Sequence, residues 1–369
     1  MARIIYGVAG EGFGHSSRSE LIGQRLIDAG HEVKFMASQK SLMYLRKRFG
    51  DLVKPIFGLC LVYENGVLHP TRTFARNLKN YSKGVFENLH LFREEFEPFC
   101  PDLVISDYEP FSSWWAWRNN VPCVSVDHQH VLRYCELDYD LPEWTCRLMA
   151  DVVTRCYHPQ PDAYLMLNFF KAPVCHPDAV LAPPVVRSVC EQFIPSQQDH
   201  VLAYFTDSTP GIHQRLIEVL GAFEQQRFVV YGFNRDLQIR NCTFKSHSRE
   251  GFLRDLSTSR GAMATAGFSM ISECLYYNKP LLVLPVHKQF EQMTNARYVE
   301  SLGIGHRTRQ LNRAAVADFL DSLHRPRELS EEILYPDNDL FFTQLQRVFN
   351  RVRPDIRIDT ESMESITCA

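Results

Sequence analysis

Short apolar segments alternate with helical segments along most of the chain, in two separate series. The strands are predicted at residues 3–9, 32–37, 102–106 and 123–126 in the first series, and at 201–205, 228–233, 261–265 and 281–284 in the second. Continuous apolar strands joined by helices are typical of parallel sheets that are covered on both faces. The sequence therefore predicts an α/β fold with two Rossmann-like domains that face each other across a cleft.

The length of the chain supports this division. A chain of 369 residues exceeds the size at which one hydrophobic core usually keeps growing. Pro183-Pro184 separates the two series and marks a linker. We expect an N-terminal domain at 1–183, a C-terminal domain at 184–338, a terminal helix at 339–353 and a disordered tail at 354–369.

Composition excludes several classes of protein. The formal net charge is −3, whereas a nucleic-acid-binding protein needs a basic excess, so we expect no nucleic-acid partner. The 11 cysteines form no Cys-x-x-Cys pair, which argues against a zinc site and a disulfide framework. The N-terminus lacks a signal-peptide pattern, and no apolar run approaches the length of a membrane span. These features predict a cytoplasmic location.

A glycine-rich loop, Gly10-Glu-Gly12-Phe-Gly14, joins the first strand to the first helix and ends at His15. Gly12 and Gly14 would let backbone N–H groups approach a ligand closely. A dinucleotide fingerprint would require a third glycine at His15 and an acid near the end of the second strand, and both are missing. A P-loop would require a following Gly-Lys-Ser/Thr, which is also missing. A tight structural turn remains the alternative.

Polar residues follow other strands of the first series. Asp107 follows the strand at 102–106, at the same predicted sheet edge as His15. A histidine oriented by a carboxylate is a competent general base, so we predict that the two are catalytic; the alternative is a solvated loop aspartate. The loop Asp127-His128-Gln129-His130 ends the next strand. Two histidines without a third ligand indicate a metal only weakly, and we expect the loop to contact the acceptor.

The sequence around Thr265-Ala-Gly267-Phe268-Ser269 carries the strongest signal. Gly267 opens a helix directly after a strand, so the free N–H groups of its first turn suit a phosphate. Glu273, about two turns into that helix, could accept hydrogen bonds from both hydroxyls of a ribose.

Glu291 and Gln292 lie side by side in the loop after the next strand. A carboxylate beside an amide matches paired sugar hydroxyls in both donor and acceptor sense. The alternative is the acidic first turn of an ordinary helix.

These motifs resemble those of the GT-B glycosyltransferases, in particular the peptidoglycan N-acetylglucosaminyltransferase (MurG-like) superfamily. Gly14-His15 matches the end of that superfamily's glycine loop, and Ser272-Glu273 matches its nucleotide helix. Further matches after the next strand are His287-Lys288, Gln292 and Asn295-Ala296. Glu291 departs from the superfamily, which has glutamine there. The resulting acid-Gln pair resembles that of natural-product glycosyltransferases, where it holds the donor sugar.

The resemblance implies an acceptor-side N-terminal domain and a C-terminal domain that binds a nucleotide sugar such as a UDP-sugar. Thr206 and Ser208, which replace a Gly-Gly-Ser loop of the family, are weak phosphate-binding candidates. The resemblance also implies inverting, metal-independent transfer of a hexose without a cofactor. A 2-epimerase or hydrolase of nucleotide sugars and a non-catalytic binding subunit remain alternatives.

The acceptor is expected to be a hydroxyl compound, with lipid-linked and glycan acceptors both open. Phe111, Trp114, Trp115 and Trp117 indicate mainly helix packing, but they also leave open an apolar acceptor site or peripheral contact with the inner membrane surface. The oligomeric state is left open.

Overall fold

A computed structural model of the chain describes residues 1–10, 12–58, 63–64, 67–68, 72, 84–205, 212–246 and 248–358. Its first sheet contains seven parallel strands in the order β3-β2-β1-β6-β7-β8-β9. A separate antiparallel hairpin consists of β4 and β5. The strands are β1 (Arg3–Val8), β2 (Glu32–Ala37), β3 (Val53–Pro55), β4 (Tyr63–Glu64), β5 (Val67–Leu68), β6 (Leu103–Asp107), β7 (Cys123–Asp127), β8 (Ala163–Leu167) and β9 (Ala179–Ala182).

Helices cover both faces of this sheet, as its apolar strands require. Along β1, Ile4 and Tyr6 pack in one core whereas Ile5 packs in another, because successive strand residues point to opposite faces. The helices are α1 (Phe13–Asp28), α2 (Gln39–Phe49), α3 (84–91), α4 (Pro110–Asn119), α5 (Val131–Tyr134) and α6 (Trp144–Tyr157).

The second sheet also has seven strands, in the order β12-β13-β11-β10-β14-β15-β16, and only β12 runs antiparallel to its neighbour. Its elements are β10 (His200–Tyr204), α7 (Ile212–Leu220), β11 (Arg227–Tyr231), β12 (Leu237–Ile239), β13 (Cys242–Phe244), α8 (Arg249–Thr258), β14 (Ala262–Ala264), α9 (Phe268–Tyr276), β15 (Leu281–Val283), α10 (Phe290–Ser301), β16 (Gly305–Arg307) and α11 (Arg313–Ser322). The predicted α/β fold with two mainly parallel sheets is confirmed.

The last helix, α12 (Asn338–Val352), returns to the N-terminal domain and packs beside β8 and β9. Phe341, Leu345 and Phe349 form its buried face. The chain thus crosses between the two domains twice, which holds their sheets around a common cleft.

The prediction of a disordered tail from residue 354 is wrong for 354–358. Ile356 and Ile358 are buried against the N-terminal core, and the Arg357 carbonyl lies 2.7 Å from His31 Nε2. The two isoleucines alternate with polar residues and provide an apolar side that sequence composition alone underrates. Residues 359–369 lie outside the described part.

Within the described residues, no helix is long and apolar enough to cross a membrane.

Candidate active site

A cavity of about 860 Å³ lies between the two domains. Loops after β1 and β7 line it from one domain, and loops after β14 and β15 line it from the other. This is where ligands bind in parallel α/β sheets, at the carboxyl ends of the strands.

His15, which lines this cavity, is in contact with the buried Asp107, 92 positions further along the chain. His15 lies in the first turn of α1, and its Nδ1 is 2.7 Å from Asp107 Oδ1 at the end of β6. The parallel pairing of β1 with β6 sets Val8 opposite Asp107 and so brings the two loops together. The His15 ring lines the cavity, and Nε2 is the nitrogen that the contact with Asp107 leaves for a substrate. This geometry suits a general base.

Asp107 is fully buried and is surrounded by donors from α1. Arg18 binds both of its oxygens, with Nε 2.6 Å from Oδ2 and Nη2 on Oδ1, and the Ser19 hydroxyl donates to Oδ2 at 3.0 Å. Burial alone would raise the pKa of Asp107, but the charges and hydrogen bonds of Arg18 and His15 hold it below its usual value. The carboxylate therefore stays ionised at neutral pH.

The glycine loop brings the two domains into close approach. Gly12 has φ +79°, a left-handed conformation that favours glycine. A Cβ on Gly14 would lie 2.4 Å from Ser269 Oγ, so a side chain there would push against the first turn of α9. The starts of α1 and α9 thus meet at the same end of the cavity.

Most residues of the predicted donor motif on α9 line the cavity. Gly267, Phe268, Ser269 and Glu273 line the cavity, and Gly267 is the N-cap of α9. Glu273 accepts a hydrogen bond at 2.5 Å from Arg187, which comes from the linker after the two prolines. Arg187 also lines the cavity, and no sequence motif predicted it.

Two predicted donor residues do not line the cavity. Ser272 is buried, and its hydroxyl donates at 2.8 Å to the Phe268 carbonyl one turn earlier, so it serves α9 itself. His287 is exposed and lies outside the cavity lining. Thr206 and Ser208 fall outside the described residues.

Glu291 and Gln292 both line the cavity at the start of α10. Gln292 Oε1 accepts a hydrogen bond at 3.0 Å from the Val286 backbone N–H, which fixes the orientation of its amide. Gln129 Nε2 donates to Glu291 Oε2 at 3.3 Å across the cleft.

His128 also connects the domains. Its ring stacks on Phe268 with centroids 4.2 Å apart, and its Nε2 is 3.1 Å from Asn295 Oδ1. Burial lowers the pKa of His128, which favours the neutral ring. The loop predicted to contact the acceptor therefore places His128 and Gln129 at the boundary between the two domains.

Asp127 and His130 are buried and lie outside the cavity lining, unlike the other two residues of the loop that was predicted to contact an acceptor. Both are buried, and Asp127 Oδ2 is 2.7 Å from His130 Nδ1 and accepts from the Ser125 hydroxyl at 2.6 Å. The His130 backbone N–H also donates to Asp127 Oδ1 at 2.9 Å. Asp127 thus closes a tight turn at the end of β7 and is satisfied within it.

No group of three or more metal-ligating side chains occurs in the described ranges. Two Asp-x-Asp sequences lie at 138–140 and 337–339, and one acid of each has a partner within the protein. Asp140 is 3.0 Å from Arg297 Nη2, and Asp337 caps α12 by accepting from the Leu340 N–H at 2.8 Å.

Comparisons with known proteins agree with this architecture. The family model described as "Glycosyl transferase family 1" matches residues 2–324. An uncharacterized glycosyltransferase of Methanosarcina acetivorans is 25% identical over 327 residues, which cover 82% of this chain and 84% of the relative.

Solved structures share the fold at low sequence identity. The glycosyltransferase of kitacinnamycin has a TM-score of 0.64 at 15% identity, with 96% of this chain and 95% of that one covered. LpCGTa in complex with UDP (TM-score 0.60, 13% identity) covers 88% and 91% of the two chains. MurG of Acinetobacter baumannii has a TM-score of 0.54 at 13% identity and the same coverage. The chain belongs to glycosyl transferase family 1 and is a glycosyltransferase of the GT-B fold.

Proposed function

We propose that this glycosyltransferase moves a hexose from a nucleoside-diphosphate sugar, such as a UDP-sugar, to a hydroxyl acceptor with inversion at the anomeric carbon. The observation that carries the proposal is that His15, which is paired with the buried Asp107, and the first turn of α9 line the same cavity. The His15–Asp107 pair supplies a base, and the first turn of α9 suits a phosphate. The printed name of one similar structure, LpCGTa in complex with UDP, gives a precedent for such a ligand on this fold.

In the proposed reaction, His15 Nε2 takes the proton of the acceptor hydroxyl as its oxygen attacks the anomeric carbon. The bond between that carbon and the diphosphate oxygen breaks, and the nucleoside diphosphate leaves with the electron pair. Asp107 stabilises the imidazolium that forms. Attack from the side opposite the leaving group inverts the configuration.

The leaving diphosphate gains negative charge, which groups on the donor side can stabilise. The unpaired N–H groups at the start of α9 and the positive end of its dipole point to the cavity. Lost donors at developing charge typically cost about 10²–10³ in rate. Arg187 adds a cation beside Glu273, which we assign to the ribose hydroxyls.

Two alternatives use the same donor pocket. A 2-epimerase or hydrolase of nucleotide sugars would need no acceptor, and a binding subunit would need no base. The His15–Asp107 pair at the acceptor side of the cavity supports transfer over both.

Nucleoside diphosphates and their sugars should stabilise the folded protein. A ligand present at about 100 times its Kd adds about 2.7 kcal/mol to the free energy of unfolding. A thermal-unfolding panel over bases and sugars measures this, with matching nucleoside monophosphates as controls. Absence of stabilisation by every diphosphate would contradict the proposed donor site.

Transfer should require no divalent metal. We propose that the α9 N-terminus and Arg187 compensate the diphosphate charge in place of a metal ion. Turnover should therefore be unchanged after exhaustive chelation with EDTA and after addition of Mn²⁺ or Mg²⁺. Loss of turnover on chelation, restored by either ion, would show that the mechanism is wrong.

An exposed apolar surface on α4 and α6 supports peripheral contact with a membrane. It consists of the exposed residues Trp114, Trp117, Trp144, Leu148, Met149 and Val152. The Trp114 indole N–H donates to the Cys156 carbonyl at 2.8 Å and joins the two helices. Met149 also lines the cavity, so this surface continues into the proposed acceptor side. We propose that it lies on a lipid bilayer at the inner membrane surface, where a lipid-linked acceptor would be presented.

Charged substitutions on this surface should abolish binding to vesicles. The wild-type protein should cosediment with vesicles containing anionic lipid, and the double substitution Trp144→Glu/Leu148→Glu should not. Leu340→Glu, at a 43%-exposed leucine on α12, is the matched control and should keep binding. Wild-type protein that stays in the supernatant, or equal loss in both variants, would exclude this surface.

A further inference from the structure

We propose that Arg18 is a positioning residue of the transfer reaction that compensates the charge of Asp107 and so keeps His15 free to accept a proton at neutral pH. The inference rests on the proposed role of His15 as the base. Arg18 also lines the cavity, and in this proposal it acts through Asp107 and His15 rather than on a substrate.

The geometry ties Arg18 to the His15–Asp107 pair rather than to solvent. Arg18 is only 6% exposed and follows His15 by three positions, on the same side of α1. Its guanidinium binds Asp107 through Nε and Nη2, and Nη2 also lies 2.8 Å from His15 Nδ1. Arg18 and His15 thus share Asp107 Oδ1.

A buried carboxylate needs a positive partner. If His15 were the only partner of Asp107, the pair would be neutral only with His15 protonated, and a protonated imidazole cannot act as a base. The permanent charge of Arg18 neutralises Asp107 while His15 is uncharged. Asp107 can then orient the ring through Nδ1 and still stabilise the imidazolium during proton transfer.

Other titratable groups near the pair do not provide this charge. Tyr6 on β1 is buried, and its pKa is raised by that burial and by Asp107, so it is neutral. Asp127 at the end of β7 is paired with His130. His158, which follows α6, has a pKa lowered to about 3 by burial and by His130, so it is neutral at pH 7. Among the described residues that bond to Asp107, Arg18 is the one with a permanent charge.

The test compares three variants by the pH dependence of kcat/KM and by NMR titration of the labelled His15 ring. Arg18→Met should move the acidic limb and the His15 titration midpoint upward by about one pH unit or more, because a cation next to the imidazole is lost. Arg18→Lys keeps the positive charge but loses the two-pronged contact with Asp107. The acidic limb of the kcat/KM profile should therefore stay at its wild-type pH, while kcat falls. Arg18→Met/Asp107→Asn removes both charges and should return the midpoint towards that of the wild type.

Arg25→Met is the matched control, since it removes a guanidinium from the same helix that lies over Phe342 instead. It should leave the limb and the midpoint in place. Should Arg18→Met fail to fold, Arg18→Gln gives the same loss of charge with a hydrogen-bonding amide, and the double variant with Asp107→Asn removes the buried unpaired charge.

An unchanged limb and midpoint in the neutral Arg18 variants would overturn the proposal. The NMR titration tests the charge role of Arg18 independently of the proposed transferase function. If the midpoint moves as expected but no variant and no wild-type protein transfers sugar, the charge role of Arg18 stands and the transferase assignment of His15 fails.

Discussion

Replacing His15 by alanine should lower kcat for sugar transfer by about 10²–10⁴, the usual contribution of general-base catalysis. Binding of the nucleoside diphosphate should change little, because His15 belongs to α1 whereas the proposed phosphate and ribose contacts belong to α9. Initial rates of transfer and calorimetric titration with the diphosphate measure the two quantities separately.

Asp107→Asn should lower turnover to a smaller extent without unfolding the protein, since an amide keeps the shape of the carboxylate. The folded protein should be less stable, however, because the buried Arg18 loses its charged partner. His90→Ala, at a histidine 65% exposed on α3, is the control for loss of an imidazole elsewhere. Turnover that survives His15→Ala would remove His15 from the catalytic assignment.

Replacing Glu273 by alanine should weaken binding of the nucleoside diphosphate itself. A hydrogen bond to a charged group contributes about 1.5–3 kcal/mol, so loss of one ribose contact corresponds to a rise in Kd of about 10- to 150-fold. The same substitution leaves Arg187 without its partner at 2.5 Å, which adds a cost in stability. Calorimetry gives the Kd, and thermal unfolding without ligand gives the stability.

Glu291→Ala and Gln292→Ala are the informative comparison, because both residues line the cavity beyond α9. They should preserve binding of the free diphosphate and impair binding of the intact nucleotide sugar. Equal loss of diphosphate binding in all three variants would mean that our division of the donor pocket is wrong.

The sequence was sufficient to predict the fold and the contact between His15 and Asp107. Both rest on one rule, that the carboxyl ends of parallel strands meet at one edge of a sheet, and β1 and β6 are indeed neighbours. The position of the start of α9 at the cavity could be predicted for a similar reason, since the start of a helix directly after a strand must face that edge.

Residues that depend on tertiary charge pairing could not be predicted in this way. Arg18 and Arg187 belong to no motif that we used, and an arginine is usually exposed. The spacing of three between His15 and Arg18 on one helix was the available signal. Asp127 was assigned to the cavity because it ends a strand, yet its hydrogen bonds with His130 and Ser125 turn it inward. Strand ends locate a residue at the edge of the sheet, but local hydrogen bonds decide where its side chain points.

The central claim is that the cavity transfers a sugar to a hydroxyl with inversion. It is tested most directly by NMR analysis of the products from a nucleotide sugar that stabilises the protein, with and without a hydroxyl acceptor. We expect a new glycoside whose anomeric configuration is opposite to that of the donor, together with the free nucleoside diphosphate, and only when the acceptor is present. Retained configuration, or free sugar or an epimerised donor formed equally well without any acceptor, would contradict it.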